Sequence, residues 1–574
     1  MQTASPQNPE SLVEMVPPKK PRGLWWVMKW VLAILVLMIV LIVLLNLRMG
    51  PGNGAPLVRV SPQTTWITSP LKPSGDVDYI AFMNQQYAVP ANKNAFVDLV
   101  RILGPKFEGA VLPKSFFDQL GIAAVPETGD YLENLTWKKF GVDTPIAVTI
   151  HGIRLGSQDV HKVTMTVPFP PEEFPGVDHW FEKNEHHLVA IRSAVRKTGY
   201  FTPYGGGDFL STVRIPHVQQ MRAVAWSMQR SSMLRLGRGD VAGAIGDQIA
   251  ILRFGRLISH MGAPIEFLMG MVLEMMGNQS IAQTIFSGQC TAADLKRLAA
   301  ELDALPPLRS IDKRYLEAER VLMLDLAMGI GRYGPIPWSV QSNGPAAPGV
   351  TGVDKPGIGD RLFRATVDWE VVCEELNTFY DELDKILEQD SIVVQAKLFR
   401  DSDLQQHDQG LNAAQSGEFF GLSMNGRRRR GQLVSKMLTS PFQVNRSLNI
   451  DYWRKATAQF RVNRVAIALE LYRMEHGQYP VDLEELVPQF LEAIPLDPFT
   501  ERQLVYRPDN GNPFLLYSVG PNEIDDDGAE IPSKSGLSVI GTVKTDMPKV
   551  DLPAVPKVRT VQDWIAENKV DSVK

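Results

Sequence analysis

Cysteine is scarce in this sequence: among 574 residues, only Cys290 and Cys373 are present. This excludes a disulfide-stapled scaffold, because such scaffolds rely on several bridges in a short chain. Two alternatives stay open for the two thiols. They could form one bridge in an oxidising compartment, or they could lie separately in a hydrophobic core. We favour the second, because free cysteine behaves as a small buried hydrophobe.

Charge of one sign is not in excess either. The chain has 59 Lys and Arg residues against 64 Asp and Glu residues, for a formal net charge of -5. Proteins that bind nucleic acid usually carry a broad basic surface that neutralises phosphates. We therefore predict no nucleic-acid partner.

Linear catalytic and cofactor motifs are also missing. The sequence has no nucleophile elbow, Walker A motif, HExxH motif, CxxC pair or EF-hand loop. The glycine-rich residues 203–208 lack the lysine of a phosphate-binding loop. Ser310 and Lys313 match an SxxK pattern, but two fixed positions arise by chance in a chain of this length. We predict a non-enzymatic protein with no catalytic or cofactor-binding residues, and keep an enzyme without a linear motif as an alternative.

One long apolar run is present. Residues 24–47 are long and apolar enough to cross a bilayer, which takes about 20 residues. The run exceeds the h-region of a signal peptide, about 7 to 15 residues, and no small-residue cleavage site follows it. Lys19, Lys20 and Arg22 precede it, so the positive-inside rule puts the N-terminus in the cytoplasm. We predict a single-pass anchor in the inner (cytoplasmic) membrane, with a disordered cytoplasmic tail at 1–23 and a periplasmic or otherwise extracytoplasmic bulk.

Composition divides the rest of the chain. Residues 48–75 and 339–360 are rich in Pro and Gly and are predicted to be linkers. The alternation of Ile146, Val148 and Ile150 predicts a strand. The predicted folded parts are, in chain order, a mixed α/β region at 76–204, a helical-hairpin block at 205–338, a helical region at 361–444, a C-terminal domain at 445–530 and a C-terminal tail at 531–574.

The block at 205–338 has the clearest helical signals. Asp240 and Thr291 suit helix N-caps, and Gly277 is expected to end a helix. Paired helices joined by tight turns resemble tetratricopeptide-type helical hairpins, although no 34-residue signature repeats. Nearly half of the 21 methionines lie in this block. They predict either core packing, which we favour, or a soft partner groove with exposed residues such as Met228.

A group of possible metal ligands lies between the anchor and this block. His179, Glu185, His186 and His187 are close in sequence but fit no HExxH pattern. Adjacent residues point about 100° apart on a helix, so His186 and His187 are not expected to converge on one ion. We interpret these histidines as surface or cap residues.

The C-terminal domain has the most specific series of motifs. They are a long amphipathic helix that ends at Gly477, a short helix after Asp482, a DPF motif at 497–499, two apolar runs on either side of Asn510-Gly511, and an acidic loop after 520–522. This order resembles the globular domain of the major pseudopilins of type II secretion. The whole chain also resembles a family of large single-pass bacterial membrane proteins that join such a domain to a helical body.

The resemblance also implies a metal site. In major pseudopilins the loop at this position resembles a calcium site, and here it contains Asp525, Asp526 and Asp527. Calcium prefers six to eight oxygen ligands, which side chains and backbone carbonyls of a flexible loop can provide. Calcium is therefore the one cofactor that the resemblance implies. The alternative is a solvated acidic turn, which is the more common state of a run of aspartates.

These observations predict a mainly α protein with a small α+β C-terminal domain. The architecture would be one N-terminal transmembrane helix, a tetratricopeptide-like helical-hairpin body, and a pseudopilin-like helix plus β-hairpin domain. The predicted function is that of a membrane-anchored extracytoplasmic scaffold that binds other envelope proteins. The alternative implied by the resemblance is a divergent component of a type II secretion or pilus-like apparatus.

Overall fold

The computed structural model describes residues 26, 28–38, 56–107, 109–133, 148–150, 153–205, 207–210, 213, 216–333, 365–415, 426–508, 514–528, 552–553 and 560–568. As predicted, the protein is mainly helical with few short strands. The numbered helices are α1 (Tyr79–Tyr87), α2 (Ala95–Leu103), α3 (Lys114–Leu120), α4 (Ser157–Thr166), α5 (Pro175–Ala194), α6 (Pro216–Gly237), α7 (Val241–Ser259), α8 (Pro264–Ile285), α9 (Ala292–Asp303), α10 (Lys313–Tyr333), α11 (Trp369–Ile386), α12 (Ile392–Gln415), α13 (Gly426–His476) and α14 (Val561–Glu567).

The strands form three small antiparallel sheets. They are β1 (Lys106–Phe107) with β2 (Ala110–Val111), β3 (Val148–Ile150) with β4 (Ile153–Leu155), and β5 (Val505–Arg507), β6 (Leu515–Ser518) and β7 (Leu552–Pro553) in that order. In the third sheet Val505 lies opposite Tyr517, which in turn lies opposite Pro553. β3 confirms the described part of the predicted strand. The Asn510-Gly511 turn between β5 and β6 lies outside the described residues.

The predicted membrane anchor is described only in part. Of residues 24–47, the structure describes Trp26 and 28–38, which are helical and exposed. The rest of the run and the tail at 1–23 lie outside the described residues. Within the described parts of the chain, we find no helix with both the length and the apolarity that a membrane crossing requires.

Residues 56–75 fall within the first predicted linker, and they pack against the helical body. The amide of Leu57 donates to the carboxylate of Asp76 at 2.8 Å, and that carboxylate also accepts from Arg332 of α10 at 2.9 Å. The side chain of Asn377 on α11 donates to the carbonyl oxygen of Gln63 at 2.9 Å. This segment is therefore folded. The predicted domain boundaries themselves stay predictions.

The helices from α6 to α10 follow the predicted pattern of turns. Asp240 accepts from the amide of Gly243 at 2.8 Å and caps α7, and Thr291 caps α9 by accepting from a backbone amide. The predicted end at Gly277 is wrong, because α8 continues through it to Ile285. A Cβ atom at position 277 would lie 2.6 Å from the side chain of Leu252, so this glycine permits close helix packing instead of ending the helix.

The methionines of this block belong to the core. Met228 is buried, so its predicted exposure is wrong and the core interpretation is the correct one. Met228 lies on α6, which packs against α4, α7 and α8. The other buried methionines of the block are Met221, Met233, Met261, Met269, Met271, Met323 and Met328.

The two cysteines are both buried and free. The thiol of Cys290 contacts the carbonyl oxygen of Thr284 at 3.2 Å. Burial raises the pKa of Cys290 to about 11 and the pKa of Cys373 to about 12. The interpretation of two separate buried thiols is confirmed.

α13 is the helix against which much of the structure is arranged. It has 51 residues and packs against α8, α11 and α12 along its length. It also runs through residues 444 and 445, where the sequence predicted a domain boundary. Its end agrees with the prediction: Gly477 has a φ of +79°, which favours glycine, and its amide donates to the carbonyl oxygen of Arg473 at 2.8 Å.

Candidate functional site

The DPF motif at 497–499 forms a buried junction in the C-terminal unit, that is, in the described residues between 477 and 528. One carboxylate oxygen of Asp497 accepts from the amide of Phe499 and from the hydroxyl of Ser518, both at 2.9 Å. The other oxygen accepts from the amide of Val519 at 2.9 Å. Asp497 therefore joins the loop before β5 to strand β6. These hydrogen bonds give the motif a structural role, since they occupy both oxygens of the carboxylate.

Arg454 of α13 holds the same junction from the other side. Its guanidinium is fully buried and lies 4.4 Å above the ring of Phe499. It donates to the carbonyl oxygens of Pro498 at 3.1 Å and Phe499 at 2.8 Å. It also pairs with Glu523 at 3.0 Å and Asp451 at 3.2 Å. Sequence reasoning missed this residue, because one arginine in an amphipathic helix looks like an ordinary surface residue.

The acidic loop that was predicted to bind calcium contacts basic and hydroxyl groups. Arg507 of β5 pairs with Asp525 at 3.2 Å and with Asp527 at 3.1 Å. The hydroxyl of Tyr517 donates to Asp525 at 2.6 Å, and this hydrogen bond is the main reason why the pKa of Asp525 is lowered. The repulsion between neighbouring carboxylates is thus relieved in part by Arg507.

The middle aspartate of the loop, Asp526, has a different partner. Asp526 accepts from the side-chain amide of Asn522 at 2.7 Å. Among the described residues, Asp525, Asp526 and Asp527 are not among the groups whose ligand atoms converge closely enough to hold one ion. The calcium site stays a prediction.

The structure does bring two histidines together on α5. His186 and His187 have ring centroids 3.8 Å apart at a tilt of 40°. The Nε2 atom of His186 lies 2.9 Å from one carboxylate oxygen of Asp130, and the Nε2 atom of His187 lies 3.2 Å from the other. The expectation that adjacent histidines could not converge is wrong, because rotation about the side-chain torsions brings the ring tips together even though the Cα–Cβ bonds diverge.

The other two members of that sequence cluster lie apart. Glu185 pairs with Arg235 of α6 at 2.9 Å, and His179 is exposed. In the described part of the chain, Asp130 and the two histidines are the group of three acidic, His or Cys residues that could hold a metal ion, with ligand atoms within 4.8 Å of one another. The sequence could not show this, since Asp130 is more than fifty positions away.

A second unforeseen feature is a buried cluster of charges around Arg446 of α13. Its guanidinium pairs with Glu319 of α10 at 3.0 Å and with Asp403 of α12 at 3.4 Å. It also lies 4.9 Å from the ring centroid of Phe379 on α11. Four helices therefore meet at one side chain. Burial raises the pKa of Glu319 to about 7 and the pKa of Asp403 to about 6.

An open groove lies where the body meets the C-terminal unit. Its volume is about 790 Å³, and Leu496 at its edge is 45% exposed. Glu501 on one wall accepts from the amide of Ile392 at 2.9 Å and so caps the start of α12. The lining residues are Asp390, Ile392, Trp453, Arg461, Pro495, Leu496, Pro498 and Glu501.

Comparison with known proteins gave no relative: no protein-family model, curated protein or solved structure matches this chain. The resemblance to pseudopilins therefore rests on sequence motifs alone.

Proposed function

We propose that this protein is a membrane-anchored, non-enzymatic scaffold that stands on the outer side of the inner membrane and binds other envelope proteins. The observation that carries the proposal is the apolar helix at residues 28–38. Leu32 is 66% exposed and Leu37 is 68% exposed, and their apolar neighbours along the helix are exposed as well. Exposed apolar surface of this extent marks an interaction with a membrane or another protein. Lys19, Lys20 and Arg22 cluster before the run at 24–47, whereas Arg48 alone follows it closely, which favours a cytoplasmic N-terminus.

Buried ion pairs join the helices of the body, as a scaffold requires. Arg446 connects four helices through contacts with buried partners, and Arg454 connects α13 to the C-terminal loop and Glu523. A buried charge that loses its partner costs about 3 to 5 kcal/mol, so such clusters favour one arrangement of the helices. A fixed arrangement would hold a bound partner in a defined position relative to the membrane.

The groove beside Leu496 is the surface that we assign to a partner. Its exposed members combine the apolar side chain of Leu496 with the carboxylate of Asp390. Arg461 already donates to the carbonyl oxygen of Leu496 at 2.6 Å. The surface therefore fits an extended apolar segment of an envelope protein that carries a basic residue.

The test is affinity purification of the full chain from membranes dissolved in mild detergent. Leu496→Lys should remove envelope proteins that the wild type retains, because the lysine places a charge where the apolar contact forms. Val481→Lys is the matched control, since Val481 lies in the same unit and is 76% exposed outside the groove. Identical sets of proteins from the wild type and both variants would contradict the proposal.

A second candidate is a divergent component of a type II secretion or pilus-like apparatus. It is supported by the order of elements after residue 445, namely the end of α13, a 3₁₀ helix at Leu483–Leu486, the DPF loop and the β5–β6 hairpin. This is the order that the pseudopilin resemblance implies. The turns between α6 and α10 are those expected of a tetratricopeptide-like body. Subunits of a secretion machine in the affinity purification would favour this candidate.

A further inference from the structure

We propose that Asp130, His186 and His187 form a binding site for a divalent transition-metal ion of the zinc class. This inference is independent of the proposed scaffold function. Two imidazoles and one carboxylate are a common ligand set for zinc, with the remaining position taken by water. The three residues come from two distant parts of the chain, so the fold itself assembles the set.

The distances between the ligand atoms suit such an ion. The two Nε2 atoms lie 2.9 and 3.2 Å from the oxygens of Asp130, and all three ligand atoms lie within 4.8 Å of one another. A tetrahedral ion with bonds of about 2.0 to 2.1 Å separates its ligand atoms by roughly 3.3 Å. Small side-chain rotations are enough to admit the ion.

Packing and a hydrogen bond fix the turn that carries Asp130. The ring of Tyr131 lies against Gly104 and Gly129, where an added Cβ atom would come within 2.8 Å of the ring. The hydroxyl of Tyr131 donates to the carbonyl oxygen of Pro126 at 2.6 Å. Gly129 and Tyr131 thus fix the chain on the two sides of Asp130, and Gly104 leaves room for the tyrosine ring.

The next residues dock this turn on the histidine helix. The side chain of Asn184 accepts from the amide of Glu133 at 3.0 Å, and the indole of Trp180 donates to the carbonyl oxygen of Glu133 at 2.7 Å. Lys183 pairs with the carboxylate of Glu133 at 2.8 Å. These contacts place Asp130 beside the histidines, so the site is preorganised.

One side of the site faces solvent. The side chain of Asp130 is 79% exposed, whereas that of His187 is 8% exposed and fixed within the body. A bound ion could therefore complete its coordination with water. Each neutral imidazole would carry its proton on Nδ1, which leaves the lone pair of Nε2 for the metal.

The alternative arrangement uses no metal. Both histidines can donate an Nε2 proton to Asp130, and the contacts above would then be two hydrogen bonds. The two arrangements differ in whether they bind an added metal ion. Only the metal site uses the anionic oxygen of Asp130 together with a free lone pair on each of the two Nε2 atoms.

The test titrates the tag-free full chain in mild detergent with Zn²⁺ by calorimetry, and with Co²⁺ by its visible absorption. The wild type should bind one ion per chain. His186→Ala and Asp130→Asn should each weaken Zn²⁺ binding more than about tenfold. His179→Ala removes an exposed histidine from the same helix and should change nothing.

Circular dichroism spectra of all four proteins check that the variants are folded. His187 is left intact because it is buried and its loss could disturb the core. If the wild type takes up no Zn²⁺, or if His186→Ala and Asp130→Asn bind it as tightly as the wild type, the metal site is refuted and the hydrogen-bonded arrangement stands.

Discussion

Arg454 and Arg446 show how single buried arginines hold this structure together. Each sits on α13, and each pairs with carboxylates that come from other parts of the chain. A buried guanidinium can satisfy several acceptors at once because it presents five donors in a rigid plane. The consequence is that both residues should be sensitive to substitution in ways that can be measured.

Arg454→Met should lower the free energy of unfolding by roughly 3 to 5 kcal/mol. Methionine fills much of the volume, but Glu523, Asp451 and two carbonyl oxygens lose their donor. The measurement is thermal unfolding of the full chain in detergent, followed by circular dichroism. The matched control is Arg101→Met: this helical arginine is 58% exposed, its partner Asp98 one turn earlier is 31% exposed, and its replacement should cost about 1 kcal/mol or less. Equal losses in the two variants would contradict the prediction.

The Arg446 cluster should make stability depend on pH. The pKa of Glu319 is raised by burial from 4.5 to about 7. Between these pH values the folded protein holds a proton that the unfolded chain has released, so the free energy of unfolding falls as the pH rises through this range. At about 1.4 kcal/mol per pH unit, the loss could reach roughly 3 kcal/mol.

Glu319→Gln should remove this contribution, since glutamine has no proton to lose. The smaller contribution of Asp403, whose pKa burial raises to about 6, should remain. Denaturant unfolding at a series of pH values from 4.5 to 8 gives the free energy of unfolding at each pH, and the slope of this free energy against pH is compared between the variants and the wild type. Glu382→Gln, on the exposed side of α11, should keep the slope of the wild type. A Glu319→Gln protein with an unchanged slope would show that the buried carboxyl group does not titrate in this range.

At the scale of elements, α7 and α8 cross at a pair of glycines. A Cβ atom on Gly270 would lie 2.6 Å from the carbonyl oxygen of Gly255 and 2.7 Å from the side chain of Ser259. A Cβ atom on Gly255 would lie 2.8 Å from the carbonyl oxygen of Gly270. The two helices can approach this closely only because neither position has a side chain.

Gly270→Ala should therefore destabilise the protein by about 1 to 3 kcal/mol, because the added methyl group pushes the helices apart. Gly176→Ala is the control: it lies in α5 with no atom within 4 Å of the added Cβ, and it should be neutral or slightly stabilising. Both are measured as shifts in melting temperature. A neutral Gly270→Ala would mean that the helices can separate without cost.

The elements were predictable from the sequence where local chemistry determines them. Asp240 and Thr291 begin helices through a hydrogen bond from a nearby amide to their side chains, and Gly477 ends a helix through its own φ angle. Each effect depends on only a few neighbouring residues, so the sequence shows it. Gly277 was misread because its role depends on Leu252, which lies on another helix. The His–Asp cluster was missed for the same reason, since its carboxylate comes from Asp130.

At the scale of the whole molecule, two regions differ from what composition indicated. Residues 56–75 are rich in Pro and Gly but pack on α10 and α11, because their backbone groups find partners such as Asn377. Part of the predicted tail also folds: β7 pairs with β6, and Trp564 of α14 is buried. Composition indicates a low helix propensity in such regions, but long-range contacts decide whether they fold.

If the protein is the proposed anchored scaffold, everything beyond residue 48 lies outside the cytoplasm. The measurement is protease treatment of bacterial spheroplasts that contain the full chain with a C-terminal epitope tag, with a cytoplasmic protein as the intactness control. We predict that the protease removes nearly all of the chain beyond residue 48 and leaves a small protected membrane fragment. A C-terminal tag that stays protected in intact spheroplasts, and is lost only after lysis, would contradict the anchored extracytoplasmic scaffold.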